Sequence, residues 1–411
     1  MGYDVYNIRK QFPMLNTPHL MQGKPLVYLD NASTTFKPQC VIDAMNDYYT
    51  KWNANSHRGD YDLLYHMDLL VLEARKSVAK FVNCEPREVV FTSGTTMSIN
   101  LLANGLKHLL KPGDEIILSE AEHASNVLPW FNISKQTGSI IKFVPLNGNG
   151  EVTKENLESV ISNKTKIVAL AHVSNVLGSE NDIKSLCPIV HKYGALFCVD
   201  GAQSVPHLKT DFKDLDIDFL SFSGHKLCGP TGTGCLIGKY DLLNQLDPFI
   251  VGGGDNIDFD IDASLELLPA PEKFEAGTLN LAGIIGLKVA VEFIMSIGID
   301  NIHNHDKELI DYAISRLSNY EKIIIYNPNN RNGILTFNIK DVFAQDEATL
   351  LNSKGIAVRS GQHCAKLLYH QICTKATVRL STYLYTTKEE IDAFVDAIIN
   401  GGDILDAYFS N

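Results

Sequence analysis

The chain contains no Cys-x-x-Cys pair, although its 411 residues include Cys40, Cys84, Cys187, Cys198, Cys228, Cys235, Cys364 and Cys373. That scatter argues against a zinc knuckle and against a disulfide framework, and reduced thiols are the expectation. Long apolar runs are also missing. Ala282 to Met295 is interrupted by Lys288 and Glu292, so no segment reads as a membrane span. Basic charge is in deficit, with 36 Lys and Arg against 48 Asp and Glu, a net charge of −12 and no clustered basic run. Nucleic acid is therefore not expected as a main partner, because phosphate binding needs a basic surface. The start, Met1 to Tyr6, lacks a basic stretch followed by an apolar core, and Tyr6 stands where a myristoylation signal wants Ser or Thr. A cytoplasmic protein is the expectation. No internal repeat and no low-complexity segment interrupts the chain.

What is present is a long soluble sequence, 45% hydrophobic and 20% charged, that suits a large domain plus a smaller one. Apolar, β-branched runs recur at Val89 to Phe91, Glu115 to Leu118, Ile140 to Val144, Lys166 to Ala171, Leu196 to Val199, Phe219 to Phe222 and Gly234 to Ile237. Helical-period segments separate them, roughly Thr95 to Leu110, Ser125 to Gln136, Lys154 to Ile161 and Ile183 to Tyr193. This alternation predicts an α/β fold, a mainly parallel sheet covered by helices. Beyond about Ala290 the pattern turns α+β: helices over Asp300 to Ser318, Asp346 to Ser353 and Lys388 to Ile399, with strands at Ile323 to Ile325, Ile334 to Asn338, Ala357 to Arg359 and Thr377 to Leu380. Gly252-Gly253-Gly254 and the acidic residues Asp255, Asp258, Asp260 and Asp262 read as an irregular loop.

Three segments carry the chemistry. Lys226 closes Ser221-Phe222-Ser223-Gly224-His225-Lys226 after a buried-strand pattern, and an amine at a strand end can form a Schiff base with an aldehyde cofactor. Asp200 ends another apolar run, where an aspartate can pair with a protonated pyridine nitrogen. Sites in such sheets gather at the strand C-terminal ends. Ser93-Gly94-Thr95-Thr96 precedes a helical run and offers backbone donors and hydroxyls to a phosphate, although the segment alone could be an N-cap. Among the thiols, Cys198 lies within a strand and reads as packing, whereas Cys364 lies in a loop-like segment with Gly361, Gln362 and His363. Arg379, within Thr377-Val378-Arg379-Leu380, is the candidate guanidinium fork for a substrate carboxylate. Arg359 is a candidate to hold the substrate or order the thiol loop, and His57 with Arg58 to line the entrance.

In these residues the chain resembles the fold-type I pyridoxal phosphate enzymes of the class V aminotransferase group, and more closely the SufS-like group II cysteine desulfurases. The matching motifs run nearly end to end. They include Tyr28-Leu29-Asp30-Asn31-Ala32, His57-Arg58-Gly59, Gly94-Thr95-Thr96, Glu122-His123, His172 to Gly178, Val199 to Gln203, Phe274 to Thr278 and Gly355 to Arg359. The resemblance implies a large cofactor-binding domain over 20–290 and a small domain built from 1–19 and 291–411, with Val5 to Phe12 packing against the latter. It implies pyridoxal 5'-phosphate as cofactor, His123 stacked on its ring, Gln203 on its phenolic oxygen, and Asn175 near that oxygen and the substrate carboxylate. Thr95, Thr96, Ser223 and His225 would form the phosphate cup, with Thr278 supplied by the neighbouring subunit of a homodimer.

The implied reaction starts from L-cysteine, with Lys226 moving a proton and the Cys364 thiolate attacking the substrate sulfur to leave a persulfide and L-alanine. His363 and His123 are the candidates to assist that thiol. A SufU- or SufE-type acceptor protein would take the sulfur for iron–sulfur cluster assembly. The sequence departs from the pattern at Asp60-Tyr61-Asp62, at Ala124 where a second histidine is usual, and at Ala365-Lys366-Leu367, which lacks a proline common after the nucleophile. A selenocysteine lyase, an ordinary class V aminotransferase and a non-catalytic cofactor-binding scaffold are the competing readings.

Overall fold

The structure, a computed structural model, describes residues 3–56 and 59–402. The seven apolar runs assemble into one sheet: β1 Val89–Thr92, β2 Glu115–Ser119, β3 Ile140–Val144, β4 Thr165–Ala171, β5 Leu196–Asp200, β6 Phe219–Ser223 and β7 Gly234–Gly238. Their spatial order is β1-β7-β6-β5-β4-β2-β3. β7 is antiparallel to β1 and β6, and every other neighbouring pair is parallel.

Both faces of this sheet are covered, so its strands are apolar on both sides. In β2, Ile116 and Leu118 pack with Trp130 and Ile133, whereas Ile117 between them joins Val168 and Leu287 on the opposite face. Helices Asp62–Val82 and Leu281–Ile297 bury their apolar stripes on that second face, and Thr95–Gly105 and Leu128–Thr137 cover the first. Among the described residues no single helix is long and apolar enough to cross a membrane.

The helix expected over Thr95 to Leu110 ends at Gly105 and continues only as a 3-10 turn at Lys107–Leu109. Gly105 sits against Leu246, whose Cβ would lie 2.9 Å from an added Cβ, so tertiary crowding fixes a glycine where the helix stops. The loop expected after Gly252 contains a hairpin, Asn256–Phe259 paired with Leu265–Leu267, because backbone pairing is compatible with Asp258 and Glu266 facing water, while Asp255 is buried and accepts from Gly252 N at 2.9 Å. The expected strand Ala357 to Arg359 is two strands. Ile356–Ala357 runs parallel to Val27–Tyr28, and Arg359–Gly361 pairs antiparallel with Thr377–Ser381.

The C-terminal layer is a four-stranded antiparallel sheet in the order Ile323–Ile325, Ile334–Ile339, Thr377–Ser381 and Arg359–Gly361. The N-terminal helix Val5–Arg9 meets this end of the chain. Arg9 holds Glu390 with both terminal nitrogens, at 2.8 and 3.2 Å, and Phe12 packs edge-on against Phe293 and Tyr385.

Candidate active site

The C-terminal ends of the parallel strands converge on one pocket. Thr95 follows β1, His123 follows β2, Asn175 follows β4, Asp200 closes β5 and Lys226 lies one 3-10 turn beyond β6. These positions are close because parallel strands bring all their C-terminal ends to one edge. The pocket is completed by Arg359, Arg379 and Cys364 from the C-terminal layer.

Lys226 faces this pocket, and among the described residues its amine forms no hydrogen bond or ion pair. Burial lowers its pKa to about 8, with Arg379 and Arg359 pushing the same way and Asp200 opposing them. A substantial neutral fraction is therefore present near neutral pH, as a nucleophilic amine requires. Asp200 accepts from Ala202 N at 2.9 Å; burial raises its pKa, while the Ala202 N–H and Lys226 counter the rise. His123 accepts from Ser125 N through Nδ1, which leaves Nε2 as the protonated nitrogen of the neutral ring. Burial first, and then Lys226, holds its pKa near 4, so the ring stays neutral.

Gly94, at φ 143°, caps the helix that begins at Thr95. Ser223 Oγ accepts from Thr95 N at 2.8 Å and lies 2.8 Å from Thr95 Oγ1. Thr96 Oγ1 meets Ser125 Oγ at 2.7 Å. Hydroxyls and the N–H groups of a helix start thus share one corner, a chemistry that suits a phosphate. His225 lines the same pocket, and its backbone carbonyl accepts from Thr35 N at 3.0 Å.

The thiol lies in a turn of unusual backbone. His363 and Cys364 both have left-handed φ, 48° and 58°, and Ala365 N donates to Gln362 O at 2.8 Å, the pattern of a type I′ turn. Left-handed backbone is unfavourable for side chains with a Cβ, so contacts outside the turn must hold it. Asn175 Nδ2 donates to His363 O at 2.7 Å, and Ala124 N donates to Cys364 O at 2.7 Å. Cys364 itself is exposed. His363 is buried, with Nε2 on Thr377 Oγ1 at 3.1 Å, and burial pulls its pKa to about 3. Neither His363 nor His123 is thus a cation near neutral pH, and either could assist the thiol only as a proton acceptor.

Arg379 and Arg359 sit directly opposite each other on adjacent strands. Like charges in that position repel, and here Asp30 and Ser33 sit between them. Arg379 Nη2 donates to Asp30 Oδ1 at 3.1 Å and Ser33 Oγ at 2.9 Å, and Arg359 Nη1 donates to Ser33 Oγ at 2.8 Å. Arg379 Nη1 donates to Asn175 O at 2.8 Å, while its buried Nε has no partner among the described residues. Two guanidinium groups against one carboxylate leave an excess positive charge, suited to a second carboxylate.

Of the residues predicted for the site, the pocket brings together Thr95, Thr96, His123, Asn175, Asp200, Gln203, Ser223, His225, Lys226, Arg359, Cys364 and Arg379. Thr278 lies outside it within a single chain, exposed and 3.4 Å from Asn55 Nδ2. His57 falls outside the described residues. Sequence reasoning missed Ser33 and the role of Asp30 in dividing the two arginines; the Tyr28 to Ala32 motif marked the segment without revealing its partner. The donor set fits pyridoxal phosphate: an amine for its aldehyde, a carboxyl for its ring nitrogen, and a hydroxyl-rich helix start. Gln203 donates one amide proton to Ala32 O, at 2.9 Å, and Asn175 Oδ1 is buried without a partner among the described residues.

Strand order, connectivity and the lysine after the sixth strand define a fold-type I pyridoxal phosphate enzyme, and solved structures of that architecture superpose closely. Residues 27–394 match the family described as aminotransferase class-V, to which the chain belongs. It is 45% identical over 399 residues to a "Probable cysteine desulfurase" of Halalkalibacterium halodurans, covering 96% of this chain and 97% of that protein. A protein of the same description from Staphylococcus aureus is 42% identical over 401 residues, 97% of this chain and 96% of its own. Among solved structures, the cysteine desulfurase CsdA of Escherichia coli, described as an S-sulfonic acid form, is similar with a TM-score of 0.90 and 35% identity, covering 98% of this chain and 99% of that one. The apo cysteine desulfurase of Thermococcus onnurineus also gives 0.90 and 35%, with 96% of each chain covered.

Proposed function

We propose that this enzyme converts L-cysteine to L-alanine, leaving the sulfur as a persulfide on Cys364. The carrying observation is an exposed thiol, held in a left-handed turn, on the same pocket as a buried lysine amine and two guanidinium groups. Pyridoxal phosphate held by Lys226, Asp200, Gln203, His123 and the Thr95–Ser223 cup supplies an electron sink when bound. Arg379 and Arg359 take the substrate carboxylate and so fix which face of the amino acid meets Lys226. The amine of Lys226 carries the proton removed from the substrate α-carbon. Sγ of Cys364 then bonds to the substrate sulfur as the carbon–sulfur bond breaks. The electron pair stays with the substrate β-carbon, which takes a proton to become the methyl of alanine; sulfur is oxidised and carbon reduced, so no external oxidant enters.

The reading extends to the SufS-like group II enzymes, acting in the cytoplasm and passing sulfur to a SufU- or SufE-type protein for iron–sulfur cluster assembly. An exposed thiol supports it, since transfer to a second protein needs in-line access to the terminal sulfur. A homodimer is supported by two features. Thr278 lies off the pocket of its own chain, and Tyr61, Tyr65, Leu69 and Leu72 form an exposed apolar stripe along the helix beginning at Asp62.

The test is incubation of cofactor-loaded protein with L-cysteine, followed by alanine quantification and mass analysis of the Cys364 peptide. Alanine together with one added sulfur, both abolished in Cys364→Ala, is the expected result. Alanine without sulfur on Cys364 would replace this reading with a lyase, and transfer of the amino group to a keto acid with an aminotransferase.

A further inference from the structure

On the side chains between helix Ile183–Lys192 and the turn leading into β6, a second cluster lies outside the pocket. Cys187 and His191 are four residues apart and so share one helix face. Cys187 is buried, and its Sγ is 3.6 Å from His191 Nδ1. Asp216, exposed and left-handed at φ 53°, brings Oδ2 to 3.7 Å from the same Nδ1. One donor atom from each of the three lies within 4.8 Å of the others. On the far side of the ring, His191 Nε2 is 2.9 Å from Asp218 Oδ2.

We infer that Cys187, His191 and Asp216 form a binding site for a divalent, zinc-type cation, with Asp218 as the positioning residue of the histidine. Tetrahedral zinc with a thiolate at about 2.3 Å and an imidazole at about 2.0 Å separates those two donors by about 3.5 Å, close to the observed gap. Sγ is also 3.8 Å from Nε2, nearly as close as to Nδ1, so the thiol lies beside the ring and binding requires the imidazole to rotate until Nδ1 faces the ion. The arrangement of Asp218 on the other ring nitrogen is that of a carboxylate–histidine–metal triad, which fixes the tautomer and raises ligand basicity. Charge balances as well. With Cys187 ionised, three anions face one divalent cation and Lys239, whose amine is 2.9 Å from Asp216 Oδ1 and 3.0 Å from Asp218 Oδ1. Binding displaces the thiol proton and any proton on Nδ1, so a proton is the competing occupant. The bound ion would cross-link the helix to the entry of β6, the strand that ends beside Lys226.

The test uses the purified holoenzyme, stripped with a chelator and dialysed against zinc chloride, and in parallel against cobalt(II) as a spectroscopic probe. One zinc per chain is expected, and the cobalt form should show the d–d bands and thiolate charge-transfer absorption of a tetrahedral site. Both signals should persist in Cys364→Ser and disappear in Cys187→Ser and His191→Gln. Asp218→Asn should weaken affinity roughly 10–100-fold, and Asp216→Asn at a solvent-exposed position should weaken it with an unchanged circular dichroism spectrum, which guards against simple misfolding. Metal retention that vanishes only in Cys364→Ser, or a wild-type protein that binds cobalt without a thiolate band, overturns the assignment.

Discussion

At the scale of single residues, the pocket works by keeping charge off groups that must react and on groups that must bind. Lys226 is buried beside two guanidinium groups, and its amine titrates near 8 rather than in the ordinary lysine range. Only the neutral amine attacks an aldehyde, so the rate at which the apo-protein captures pyridoxal phosphate covalently should rise as pH climbs through about 8 and then level off. Stopped-flow absorbance across pH 6.5–9.5 (about the range of a two-unit titration) measures this, and Lys226→Ala should show no covalent capture and at least ~100-fold less turnover. His123 and His363 titrate near 4 and 3, so neither should add a step to the pH–rate profile at neutral pH. Arg379→Lys replaces a planar fork by a point charge and should lower kcat/KM for cysteine by about 30-fold, near 2 kcal/mol, while cofactor affinity stays within a few-fold.

At the scale of elements, the site depends on two backbone conformations that the surrounding structure holds in place. The thiol turn is tied from outside by Asn175 and by the Ala124 N–H. Removing the first tie in Asn175→Ala should loosen the turn by about 1 kcal/mol, visible as roughly fivefold faster amide hydrogen exchange over 362–366 in the apo-protein, with no such change in Gln203→Ala. At the phosphate corner, Gly94 is in a left-handed conformation, and an added Cβ would stand 3.1 Å from Ser223 Oγ. Gly94→Ala should therefore cost about 1–3 kcal/mol of stability and weaken inorganic phosphate binding to the apo-protein; calorimetry reads both.

For the whole molecule, the apolar stripe and the displaced Thr278 lead to one linked expectation. Tyr65→Asp combined with Leu69→Asp should convert a dimer to a monomer in sedimentation, because buried charge in an apolar interface is unpaired. In the proposed dimer, where Thr278 completes a neighbouring phosphate cup, cofactor retention should fall in the same variant. A double variant that stays dimeric would place the interface elsewhere; a monomer that keeps its cofactor would remove Thr278 from the cup.

The strands of the large sheet were legible in the sequence because a sheet covered on both faces demands continuous apolar runs, as at Ile116-Ile117-Leu118. Asp200 and Lys226 stood out as candidates for a related reason: Asp200 directly follows such a run, and Lys226 lies one short turn beyond another. The Gly252 segment misled because a hairpin with solvent-facing side chains leaves no apolar alternation to read, and the split at Ile356 to Gly361 misled because two short strands with different partners look like one run. Motif order was also sufficient to reach the class V family. What the sequence by itself determined, then, is the order of elements and the family, with the candidate reacting groups marked, since all of these depend on local composition and motif order. Only the tertiary structure decided that Asp30 and Ser33 stand between two arginines more than 300 positions away in number, that Asn175 anchors the thiol turn, and that Cys187, His191 and Asp216 converge. Those contacts are set by packing between distant segments, and no local pattern encodes them.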